Sequence, residues 1–148
     1  MKKYVLTVSE YFPKTHSRAG ECTAFPEQIK HYMKIHTIRE NYELWRKRFE
    51  KIDAGKAYLS VRIWTGKPYR SKQAEVFRYD YTHKIGIQKL EWNPLGWVID
   101  GALIEDLKLM DELAQNDGLT TKDFREWFRG SFVVGEPKAI IHFCDFRY

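Results

Sequence analysis

Residues 34 to 39 read Lys-Ile-His-Thr-Ile-Arg, and three of these side chains could do chemistry together. A lysine held in a partly apolar pocket loses stabilisation of its charge, so its pKa falls and the amine can accept a proton near neutral pH. A threonine beside such an amine can act as a nucleophile. Arg39 stays charged and can pair with a carboxylate or steady an anionic group. An acid close to both is needed to orient the lysine or shuttle protons. In a continuous strand, positions 34 and 37 point to opposite faces. Lys34 therefore meets Thr37 only from the preceding turn, whereas Thr37 and Arg39 share a face either way. The plain alternative makes Lys34 a solvated helix end, Thr37 a strand filler and Arg39 half of a surface ion pair.

A second set lies in residues 62 to 73, where Arg62, Lys67, Arg70 and Lys72 interleave with Trp64 and Tyr69. Basic groups can hold phosphate, and aromatic rings can stack a base. An exposed hairpin with an ordinary charged tip is the competing reading. Lys14, His16 and Arg18 in the first loop could extend such a surface. The histidines His16, His31, His36, His83 and His142 form no His-x-x-x-His and pair with no cysteine at ligand spacing, so no metal site is assigned. Walker A, Gly-x-Gly-x-x-Gly and Gly-x-Ser-x-Gly motifs are absent, and no cofactor is assigned.

These residues must be positioned by a chain of 148 residues, the size of one domain, with 43% apolar and 30% charged residues. That is enough apolar material for one core and argues against disorder. Aromatics reach 16%, about twice the share of an average domain. The net charge of +5 favours anionic partners, nucleic acid or nucleotides among them. Cys22 and Cys144 lie far apart and read as free thiols of a reducing compartment, with a disulfide between them the lesser alternative. The opening residues are too briefly apolar for a signal peptide, and no run is long enough to span a membrane, so the cytoplasm is the expected location.

The periodicities predict strands over Lys3–Ser9, residues 34–39, Ala57–Trp64, Lys72–Tyr79, Lys84–Trp92, Trp97–Ile99 and Lys138–Phe146. They predict helices over Pro26–Met33, with Ile29 and Met33 buried, and over Tyr42–Asp53, capped by Asn41, striped by Leu44, Trp45, Phe49 and Ile52, and ended by Gly55. A third spans Ile104–Ala114 with Leu107, Met110 and Leu113 as core. A fourth follows Thr120, which caps it while Asp123 answers, and buries Phe124, Trp127 and Phe128. Strands around a few short helices predict an α+β domain in the form of a small barrel.

The stretch Tyr-Met-Lys-Ile-His-Thr-Ile-Arg, residues 32 to 39, resembles the hallmark Gly-x-Lys-x-x-Thr-Ile-Arg of the ASCH (activating signal cointegrator homology) domain. The order of helix, hallmark, helix, hairpin, helix and final strand is similar to that family from Phe25 to Phe146. The resemblance implies a PUA-like barrel with short flanking helices, associated with RNA or modified nucleosides. Some small bacterial members remove the acyl group of N4-acetylcytidine with a lysine, a threonine and a glutamate. Carried over, these fall on Lys34, Thr37 and, nearest the glutamate, Asp117, which otherwise reads as part of a plain Asn-Asp-Gly turn. Two positions depart from the pattern. Tyr32 stands where glycine is usual, in the turn that presents Lys34, and Asp117 is one methylene shorter than glutamate.

The expectation is a single domain over residues 1–148 that binds RNA or a modified nucleoside or nucleotide. Lys34, Thr37 and Arg39 border its pocket, with Arg62, Trp64, Lys67, Tyr69 and Arg70 as further contacts. The alternative is a metal-independent amidohydrolase of N4-acylated cytidine, with Thr37 as nucleophile, Lys34 as base and Asp117 assisting. A third reading is a protein-interaction adaptor that keeps the fold without using the pocket.

Overall fold

The computed structural model describes residues 1–148. Strand β1 (Lys2–Thr7) runs parallel to β3 (Ala57–Trp64), and β3 pairs antiparallel with β4 (Gln73–Tyr79) in a three-stranded sheet. The alternation of Leu59, Val61 and Ile63 in β3 turns one face of this sheet towards a core. A second, antiparallel sheet has the order β2 (His36–Arg39), β8 (Lys138–His142), β5 (Gly86–Asn93), β6 (Gly96–Ile99) and β7 (Ala102–Leu103). No strand of one sheet pairs with a strand of the other. With the helices α1 (Phe25–Lys30), α2 (Tyr42–Asp53), α3 (Leu109–Asn116) and α4 (Thr121–Trp127), this is an α+β architecture with no closed barrel. No helix is long and apolar enough to cross a membrane.

Strand β8 organises the interior. All of its residues are buried, which is what a run of Ala139, Ile140 and Ile141 between two partner strands requires. Ala139 and Ile141 join Leu6, Phe49, Ile52 and Leu59 in a core beside α2. Ile140 joins Phe25, Ile38, Leu113 and Phe124 in a second core against α3 and α4. Helix α2 has the predicted bounds: Asn41 Oδ1 accepts a hydrogen bond from the Leu44 amide, and Gly55 takes a positive φ just past its end.

Several predicted elements are shorter than their periodicity. Helix α1 stops at Lys30, and Met33 is exposed, because the Met33 and Lys34 amides both turn back to the Gln28 carbonyl. Helix α3 begins at Leu109, not Ile104. Asp106 starts a turn there, and Leu107 is fully exposed instead of core. Leu44 is also exposed, outside the apolar stripe of α2. Thr120 caps α4 as predicted, but Asp123 does not answer it; its carboxylate takes Arg18 instead. Strand β5 starts at Gly86 because Lys84 adopts a left-handed conformation, and the last strand ends at His142. Both cysteines are free.

Candidate functional site

Lys34 lies in the connection between α1 and β2, outside the strand, which satisfies the geometric condition for approaching the Thr37 side of β2. Three links hold this connection. The Gln28 carbonyl accepts from Met33 and Lys34, the Gln28 side-chain amide donates to the Gly118 carbonyl, and the Ile35 amide donates to the Asn116 carbonyl. Gln28 thus ties the turn carrying Lys34 to the turn carrying Asp117. Gly118 follows Asp117 with φ +80, and a Cβ there would come within 2.9 Å of Gln28 Oε1, so both the backbone and the close approach favour glycine.

The amine of Lys34 is buried, donating to Asp117 Oδ1 at 2.9 Å and to the Asp117 carbonyl at 2.7 Å, with the Phe25 ring centroid 4.1 Å away. Burial lowers the Lys34 pKa against the opposing pull of Asp117, so the amine releases its proton more readily than an exposed lysine. Burial alone would raise Asp117. The charge of Lys34 and the proximity of His36 outweigh it, and Asp117 is held below the usual carboxylate range. Arg39 donates to Thr37 Oγ1 at 2.6 Å, to the Ile38 carbonyl at 2.9 Å and, across to the end of β1, to the Thr7 carbonyl at 2.6 Å. Desolvation lowers its pKa, yet a guanidinium remains charged.

Thr37, Arg39 and Asp117 share a cavity of about 250 Å³, lined also by Thr7–Ser9, Phe25, Trp127 and Phe128. Asp117 Oδ1 receives Lys34 and lies 3.5 Å from His36 Nδ1, so Oδ2 is the oxygen left without a protein donor. Lys34 and Thr37 are not hydrogen-bonded to each other: the amine is engaged by Asp117 and the hydroxyl by Arg39. Thr37, Arg39 and Asp117 are therefore brought together at the cavity, whereas Lys34, expected to border it too, lines the cleft beside Tyr32 and is linked to the cavity only through Asp117.

The hairpin residues are not part of this cavity. Arg62 donates to Ser60 Oγ and lies 3.9 Å from Glu75. Trp64 packs on Tyr69 at the hairpin, and Lys67, Tyr69 and Arg70 are exposed at its tip. In the first loop Lys14 is exposed, while His16 and Arg18 dock on Asp123 and Glu126 of α4. Tyr32 adopts φ +59, a left-handed conformation that costs a residue with a side chain about 1–2 kcal/mol. Its ring is exposed and lines a separate cleft with Tyr79 and Phe143, so it does not cover the Thr37 cavity. Another cavity of about 220 Å³, lined by Trp92, Trp97 and Phe132, offers Arg125 as its only charged group. No three His, Cys, Asp or Glu side chains converge to hold a metal ion.

Sequence reasoning missed Gln28, His36 and the aromatic residues that line the cavity. Trp127 and Phe128 read as core from their helical spacing, and both are only half-buried and line the cavity. Nothing local in the sequence distinguishes the two destinations. No family model, curated protein or solved structure matches the chain.

Proposed function

We propose that the chain is an ASCH-like domain of PUA-like kinship that binds a modified nucleoside, or a nucleotide of RNA, in the cavity of Thr37, Arg39 and Asp117. One observation carries this reading. A buried carboxylate with one oxygen unpartnered and a charged guanidinium line the same small cavity, together with Phe25, Trp127 and Phe128. A cytosine-like ring carries an exocyclic N–H that suits the carboxylate and a carbonyl oxygen that suits the guanidinium. Phe25, Trp127 and Phe128 add apolar contact at its margin. The volume lies just below the usual range for small-molecule sites, which favours one base or nucleoside over a paired duplex. The exposed Lys67 and Arg70, on a chain of net charge +5, would contact phosphates of a longer RNA only outside the cavity.

The test is a titration with cytidine, N4-acetylcytidine and a short RNA at two salt concentrations. Nucleoside affinity should be nearly independent of salt, and RNA affinity should fall as salt rises. Absence of binding by all three ligands would remove the reading.

The hydrolytic reading is favoured by a different observation, the buried Lys34 amine with lowered pKa beside Asp117. In that reaction Thr37 Oγ1 adds to the amide carbonyl while its proton passes to the neutral amine of Lys34. The C–N bond breaks, the leaving cytidine amine takes that proton, and water then hydrolyses the acyl-threonine ester to a carboxylic acid. Thr37 must first leave Arg39, and Lys34 must leave Asp117. Turnover of N4-acetylcytidine, followed by its ultraviolet change and abolished in Thr37→Val, would favour catalysis; binding without turnover would favour the module.

A further inference from the structure

The face of β2 opposite Thr37 and Arg39 carries His36, which is wholly buried yet plays no part in the reading above. Its Nε2 lies 2.6 Å from Tyr148 Oη, and the Asn116 side-chain amide donates to that same Oη at 3.0 Å. Its Nδ1 makes no hydrogen bond of normal length and faces Asp117 Oδ1 at 3.5 Å.

The protons can be assigned from these partners. Asn116 can only donate through its amide nitrogen, so Tyr148 Oη accepts there. The phenolic proton then has one acceptor in reach, His36 Nε2. A neutral imidazole that accepts at Nε2 carries its own proton on Nδ1. Asp117 Oδ1 lies 3.5 Å from the nitrogen that carries that proton. The opposite tautomer strands the phenolic proton and sets an imidazole lone pair against a carboxylate. An imidazolium would strand the phenolic proton as well. Burial also disfavours the charge, as does the nearby cation of Lys34, while Asp117 favours it; the net effect lowers the His36 pKa. Burial raises the Tyr148 pKa, so the phenol keeps its proton.

We propose that Tyr148 and His36 form a positioning pair for Asp117, in which the phenol fixes the imidazole as its Nδ1–H tautomer and the imidazole orients the carboxylate towards the cavity. Lys34 approaches Oδ1 at 2.9 Å and His36 at 3.5 Å, and between them they settle which oxygen is left for the ligand. At that separation His36 acts as an oriented dipole more than as a full hydrogen-bond donor. The proposal rests on Asp117 being a ligand contact, but its first readouts need no ligand.

The experiment is nitrogen-15 NMR of the His36 ring and carbon-13 NMR of the Asp117 carboxyl, on the full chain and on Tyr148→Phe, which removes one oxygen and keeps the ring. The intact protein should show Nδ1 protonated and Nε2 bare between pH 6 and 8. In Tyr148→Phe the Nδ1–H preference should weaken, and the Asp117 titration midpoint should rise by about half a pH unit. His36→Asn, whose amide stands near the Nδ1 position, should retain more of the Asp117 behaviour than His36→Gln, whose amide stands near Nε2. Cytidine affinity should fall about threefold to tenfold in Tyr148→Phe. An Nε2–H tautomer in the intact protein, or an Asp117 signal indifferent to Tyr148→Phe, would overturn the proposal. Spectra as expected with no nucleoside binding would leave the pair standing and remove the ligand reading alone.

Discussion

At the scale of single residues, the ion pair of Lys34 and Asp117 dominates both stability and interpretation. Both side chains are almost fully buried, so removing either partner leaves an uncompensated charge in the interior. Lys34→Met alone, or Asp117→Leu alone, should destabilise by about 3–5 kcal/mol, whereas the double variant should recover a large part of that loss. Chemical denaturation of the four proteins measures it; additive losses would contradict the coupling. The consequence for function is direct. Activity or binding lost in a Lys34 variant counts only after correction for the folded fraction, and Thr37→Val is the cleaner probe. Lys34, Thr37 and Arg39 were legible because their types are reactive and their spacing is local. Asp117 became visible only through a resemblance. His36 was not legible as a partner of Tyr148, because that contact joins residues 112 apart and depends on how the segment after β8 returns.

Among the elements, β8 does the most to bring the site together. Its alternate residues belong to two cores, and its pairing with β2 sets Thr37 opposite Ile141 and His36 opposite His142. Ile141→Ala should cost about 2–5 kcal/mol, since the side chain is wholly buried between packed neighbours. Leu107→Ala should change stability by less than about 0.5 kcal/mol, despite fitting a helical stripe in the sequence, because Leu107 is fully exposed. Denaturation midpoints distinguish the two; comparable losses would contradict the placement of α3. Helix α2 and strand β3 were read to the residue because their caps and alternation are local and strong. The start of α3 was misread because apolar period alone cannot tell a helical turn from the Asp106 turn that precedes it.

For the whole molecule, the five-stranded sheet buries two histidines with lowered pKa, His36 and His142, and this shapes the response to acid. Burial, with His36 and Arg147 nearby, depresses His142 to about 3, and burial also lowers His36. The unfolded chain takes up these protons near pH 6.5, the ordinary value, while the folded chain resists. The unfolded state therefore binds more protons between about pH 6.5 and 3, and stability must fall as pH drops through that window. Each histidine contributes a slope of up to about 1.4 kcal/mol per pH unit. Thermal melts from pH 8 to 4 check this, and replacement of His142 by Gln should flatten the curve. A melt insensitive to pH below 6.5 would contradict the burial of both rings. The α+β class was readable from composition and period. The division into two sheets was not, because β1 pairs in parallel with a strand some fifty residues on, and no local pattern encodes that choice.

The most direct measurement is amide and side-chain NMR of the full chain titrated with cytidine and N4-acetylcytidine. Binding in the proposed cavity should move the signals of Thr37, Arg39, Asp117 and the Trp127 indole together, while the hairpin tip at Lys67 to Arg70 stays still. Saturable shifts that leave Asp117 and Trp127 unmoved, or no saturable shifts at all, would contradict it.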